Sequence, residues 1–141
     1  MISNLRSYFR DQVLSVDSDL IENQSAFYDE DIGENLIDRS FQIEINNITA
    51  VSRDSHYEST LDVNLSIFGF GYREAIQNYD ELLDKALCIR DNIVNLRNFS
   101  GVFEITNITA GSITAEQLPG DDNGFKIDTN YTINVAYFRE E

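Results

Sequence analysis

Apolar residues recur at helical spacing at the start of the chain. Leu5, Tyr8, Phe9 and Val13 share one face, and Arg6, Arg10 and Gln12 lie on the other. The spacing predicts an amphipathic helix from Ile2 to about Val16, with Ser3 placed as its N-cap. From Arg39 the period becomes two. Phe41, Ile43 and Ile45 alternate with Gln42, Glu44 and Asn46, and Leu61, Val63, Leu65 and Ile67 alternate with Asp62, Asn64 and Ser66. Two half-buried strands joined by a polar loop at Asp54–Glu58 read as a β-hairpin. After Gly69 and Gly71 the helical period returns from Tyr72 to about Leu96, with Tyr72, Ile76, Tyr79, Leu83, Ala86, Leu87, Ile93 and Val94 broadly on one stripe. Glu81 and Lys85 form an i,i+4 pair of favourable order on its wet side.

The last third is strand again. A strand opens at Phe103 and Ile105 and runs to about Leu118, with the alternation slipping near Ile108 as a β-bulge would make it. A turn over residues 118–124 holds the only proline, Pro119. Phe125, Ile127, Thr129, Tyr131, Ile133, Val135 and Tyr137 then occupy alternate positions. Each hairpin's first strand contains the same tetrapeptide, Asn47-Ile48-Thr49-Ala50 and Asn107-Ile108-Thr109-Ala110. The order helix, hairpin, long helix, hairpin predicts a single α+β domain over residues 1–141. Its antiparallel or mixed sheet would carry both helices on one face.

Charge narrows the function classes. The chain has 10 Lys and Arg against 25 Asp and Glu, a net charge of −15. Phosphate clamps and anionic membrane surfaces both require clustered cations, so neither fits. Much of the excess is local. Asp17, Asp19, Glu22, Asp29, Glu30, Asp31 and Glu34 fall in a stretch without Lys or Arg, within an expected acidic loop over about 17–38. Leu20, Ile21, Phe27 and Tyr28 would anchor that loop in part. The lone Cys88 makes no intrachain disulfide, and no apolar run is long enough for a transmembrane helix. The N-terminal segment reads as a helix rather than a signal peptide, which implies a chain made in a reducing compartment.

Candidate chemistry is sparse. His56 lies in the expected polar loop Asp54-Ser55-His56-Tyr57-Glu58, where neighbouring Ser and Asp do not make a converging triad. Cys88 lies between Leu87 and Ile89 and reads as a small core residue. Asp121, Asp122, Asn123 and Asp128 lack EF-hand spacing, and Gly69-Phe70-Gly71 lacks the third glycine of a dinucleotide loop. No catalytic, cofactor-binding or metal-binding residues are identified, and an enzyme is not expected. The Thr-, Asn- and Tyr-rich hairpins suit either protein contact or a wet sheet face.

The order of elements resembles the tail terminator proteins of long-tailed bacteriophages, the lambda minor tail protein U group. The strand Leu61-Asp62-Val63-Asn64-Leu65-Ser66-Ile67-Phe68-Gly69 is similar to that family's alternating strand ending at a glycine. Tyr72-Arg73-Glu74-Ala75-Ile76 with Tyr79-Asp80-Glu81-Leu82 is similar to the start of its long helix. The strand after Asp122-Asn123-Gly124-Phe125 is similar to its closing strand. The long acidic segment before Arg39 departs from its shortest members. The resemblance implies a self-closing ring, commonly of six copies, at the tail–neck junction of a virion assembled in the host cytoplasm. The ring would stop growth of the tail tube protein and receive the neck or head-completion protein, with the tail sheath protein as a further candidate partner. DNA would pass through the hole without stable binding. On that basis Asp29, Glu30, Asp31, Glu34, Asp121 and Asp122 are candidates to face the lumen and repel phosphates. Arg39, Arg53 and Arg73 are candidates for the ring interface. The alternative is a non-catalytic module that binds a small molecule or peptide in a pocket lined by Phe68, Phe70 and Tyr72.

Overall fold

In a computed structural model, the described residues are 2–23, 38–52, 56–71, 76–95, 103–117 and 124–138. The first helix, α1, spans Ile2–Val16 and buries Leu5, Tyr8, Phe9 and Val13, the face its spacing marks out. It begins at Ile2, so Ser3 lies inside its first turn and not at its cap. The short strand β1 (Ile21–Glu22) follows, then β2 (Ser40–Ser52) and β3 (His56–Phe70). Helix α2 (Ile76–Asn95) precedes β4 (Phe103–Gln117) and β5 (Gly124–Phe138). The sheet order is β1-β2-β3-β5-β4, with β1 parallel to β2 and every other pair antiparallel. The fold is α+β with a mixed sheet and the helices against it.

The inner face of the sheet is set by period-two alternation. Phe41 stands opposite Ile67 and Ile43 opposite Leu65; Val63 stands opposite Tyr131 and Leu61 opposite Ile133. On β4 the apolar row is Ile105, Ile108, Ala110, Ile113 and Ala115, which no strict alternation connects. Register shifts between Ile105 and Asn107 and between Ala110 and Ile113 each insert one residue, which returns the row to the same face. The slip in the sequence is therefore two bulges, one on each side of the repeated tetrapeptide.

The core lies between this face and the two helices. From α2 it takes Leu82, Ala86, Ile89 and Ile93. The buried stripe is rotated from the one the sequence suggests: Ile76 is 61% exposed and Leu87 39% exposed. Cys88 is exposed, not a core residue, because it lies about 100° around the helix from buried Ile89. His56 also differs from its expectation. Its backbone is in β3, paired with Phe138, since the hairpin loop is shorter than the polar run suggests. Among the described residues no helix is long and apolar enough to cross a membrane.

Gly69 and Gly71 have separate reasons to be glycine. A Cβ on Gly69 would stand 2.7 Å from Leu82 Cδ1 and 2.7 Å from Phe125 Cζ, so α2 rests directly on β3 there. Gly71 has φ 109°, a conformation that L side chains rarely adopt. Tyr131, wholly buried, meets Phe9 edge-on at 5.3 Å, and its hydroxyl has no hydrogen-bond partner among the described residues.

Two substitutions test this packing in thermal or denaturant unfolding. Gly69→Ala should destabilise by about 1–3 kcal/mol through overpacking. Tyr131→Phe removes an unpaired buried hydroxyl whose desolvation costs about 1–3 kcal/mol. It should leave stability unchanged or raise it; a clear loss would show that the hydroxyl has a partner.

Candidate assembly surfaces

At the end of α1 the chain places a carboxylate where a helix least favours one. The N–H of Asp17 still donates to the Val13 carbonyl at 3.0 Å, so its side chain lies at the negative end of the helix dipole. Two cations offset this. Lys85 of α2 donates to Asp17 Oδ2, and Arg39 Nη2 reaches the same oxygen at 3.2 Å. Arg39 also donates to Glu81 Oε1 at 3.0 Å and to Asn78 Oδ1 at 2.9 Å, and Lys85 closes the ring of charges onto Glu81 at 3.1 Å. The backbone of Arg39 is left-handed, φ 58°, an uncommon state for a side chain of this kind. Next to it, Asp38 Oδ1 accepts from the Phe70 N–H at 2.9 Å. Asn78 Nδ2 donates to the Phe70 carbonyl at 2.6 Å. The knot thus joins the end of α1, the start of β2, the end of β3 and the first turns of α2.

Burial pushes the Asp17 carboxyl upward. The hydrogen bonds from Lys85, the Asp19 N–H and Arg39 outweigh it and hold Asp17 below the usual carboxylate range. Arg39 and then Lys85 hold Glu81 below that range as well.

The polar side of α1 is also engaged. Arg6 donates to the Ile43 carbonyl of β2, and Arg10 pairs with Glu22 of β1. So the described part of the acidic stretch, residues 17–23, is not simply solvated: its Asp17 and Glu22 are both paired, and Leu20 between them is buried.

The outer face of the sheet is a polar ladder. Asn47 Nδ2 donates to Asp62 Oδ2 at 3.1 Å, Thr60 Oγ1 to Asn134 Oδ1 at 2.9 Å and Ser66 Oγ to Asp128 Oδ1 at 2.5 Å. Lys126 bridges Asp128 and Glu116, each at 3.1 Å. Asn47 sits at the bulge of β2 with φ 51°, which Asn tolerates better than most residues. At one end Gln42, Ser66 and Phe68 are buried even on this face. Phe68, wholly buried, does not line an open pocket.

The sequence candidates fall unevenly on this surface. Arg39 is brought into contact with Asp17 and Glu81 of its own chain. Arg53, Arg73, Asp29, Glu30, Asp31, Glu34, Asp121, Asp122 and Tyr72 lie outside the described residues. Sequence reading missed the knot; its one visible trace was the Glu81–Lys85 spacing.

Both knot carboxylates titrate lower folded than unfolded, so their stabilisation is present above the ordinary carboxylate range and is lost as pH falls through the folded values. Asp17→Asn should lower stability at neutral pH by about 1.5–3 kcal/mol, the worth of a hydrogen bond to a charged group. It should also flatten the acid limb of a stability-versus-pH curve measured by denaturant unfolding.

No protein-family model matches the chain, and no curated protein matches it. Among solved structures, the fold is similar to that of a chain in the virion of a native gene transfer agent particle. The TM-score is 0.61, 91% of each chain is covered, and the identity is 10%. At this identity the likeness is one of fold.

Proposed function

We propose that this chain is a structural virion protein that forms a ring, commonly of six copies. In this reading the ring caps the tail tube, stops its elongation and receives the neck or head-completion protein. The observation that carries the reading is the fold-wide likeness to a chain of a gene transfer agent virion, which spans nearly all of both chains. The order helix, hairpin, helix, hairpin, on which the resemblance to tail terminators rests, supports it further.

The role needs no catalytic group. It needs one surface that closes a ring, a face that fits the tube and a face that fits the neck. DNA passing through the hole must not stick. Asp29, Glu30, Asp31, Glu34, Asp121 and Asp122 remain the acids proposed to keep the lumen negative. For the ring interface, Arg53 and Arg73 are proposed as partners of a neighbour's carboxylates. Arg39 is half-buried among its own chain's acids, so its substitution would act first on the fold.

Negative-stain electron microscopy and native mass spectrometry of the purified protein should find closed rings, and labelling in native particles should place them at the tail–neck junction. Labelling confined to another part of the particle, or a monomer at high concentration, would refute the proposal. Arg53→Glu and Arg73→Glu should each shift sedimentation toward the monomer.

A further inference from the structure

The repeated tetrapeptide acquires a meaning from its place in the sheet. Thr49 of β2 pairs with Thr60 of β3, Thr60 with Asn134 of β5, and Asn134 with Asn107 of β4. The two copies therefore lie at one level on the outermost long strands, β2 and β4, which run in opposite directions. Pairing continues level by level, so residues 45–52 of β2 match residues 103–110 of β4. A second molecule set beside the first, in the same orientation, would bring its β2 against β4 as an antiparallel neighbour, with repeat facing repeat.

Three further features suit this contact. Strand β4 is an edge of the sheet, and Asn107, Thr109, Gly111 and Ser112 are exposed along it. On the other side β1 pairs only with Ser40 and Phe41 of β2, and among the described residues the edge formed by β1 and β2 exposes Ile21 (51%) and Ile48 (52%). The second bulge of β4 falls between Ala110 and Ile113, just before the level that β1 occupies on a neighbour. The matched part of β4 thus ends where the neighbour's edge is already taken.

Charge selects the same segments. Two molecules of net charge −15 repel over most surfaces they could share. Residues 45–52 carry no charge, and residues 103–110 carry only Glu104. Fifteen-residue β4 has neither Lys, Arg nor Pro, the residues that usually protect an exposed edge.

We infer that β4 of one copy pairs antiparallel with the exposed edge of β2 in the next, a head-to-tail contact that joins the sheets around the ring. The inference rests on the ring reading and specifies which surfaces close it. The backbone groups of two edges that carry a single charge between them supply the attraction, and cover of Ile48 adds apolar burial.

The test uses cysteine pairs in a Cys88→Ser background, since Cys88 is exposed and would cross-link on its own. Thr49→Cys is combined in one chain with Asn107→Cys, and separately with Thr109→Cys. These residues share the outer face and the matched levels. Under a mild oxidant at least one double variant should give a covalent ladder, reaching the ring number on a non-reducing gel. The single variants should give none. Native mass spectrometry is run on the same samples. Rings without a ladder from either pair would overturn the edge contact and leave the ring reading standing. Disulfide dimers from a single variant would mean two-fold pairing of like edges and would also overturn it. Monomers throughout would overturn both.

Discussion

One carboxylate holds the two helices to the sheet in a defined place. Apolar burial drives α1 and α2 onto the inner face, but burial is non-directional and would permit many settings of a helix on a flat surface. Asp17 removes that freedom. It ends α1, accepts from Lys85 of α2, and accepts from Arg39 at the start of β2. Because Asp38 and Asn78 hold the end of β3 beside it, a shift of any one element breaks hydrogen bonds in the others. The left-handed backbone at Arg39 fits this reading, since strain of that kind persists where the surroundings over-determine it.

Much of the fold was legible in the sequence because periodicity reports burial directly. The faces of α1, β3 and β5, and of β2 as far as its bulge after Asn46, follow from spacing alone, and the slip in β4 marked its bulges. In α2 the buried stripe departs from the one that spacing suggests because many apolar residues compete for it. Leu87, Cys88 and Ile89 are adjacent, but only Ile89 turns inward, and the choice depends on where Gly69 lets the helix sit. The knot was not legible. Asp17 and Lys85 are 68 positions apart, and Arg39 and Glu81 are 42 apart, with nothing local to pair them.

The scarcity of cations then takes a more specific form. Arg10, Arg39, Lys85, Arg90 and Lys126 all form ion pairs inside the described chain, and Arg6 is bound to a backbone carbonyl. Apart from Arg90, whose partner Asp91 is its neighbour in α2, these cations fasten one element to another. The acids that remain unpaired make the molecule strongly anionic to its surroundings, and contact between molecules is easiest where charge is lowest.

The polar outer face has an evolutionary consequence. Its hydroxyls, amides and carboxylates satisfy one another in short cross-strand bonds, and Ser, Thr, Asn and Asp can exchange in such roles at small cost. A position such as Gly69, held by contact on both sides, offers no such freedom. Substitution can therefore rewrite one face of the sheet residue by residue while the packed face keeps only its pattern of size and polarity. An architecture of this kind can therefore be kept while the residues of one face change.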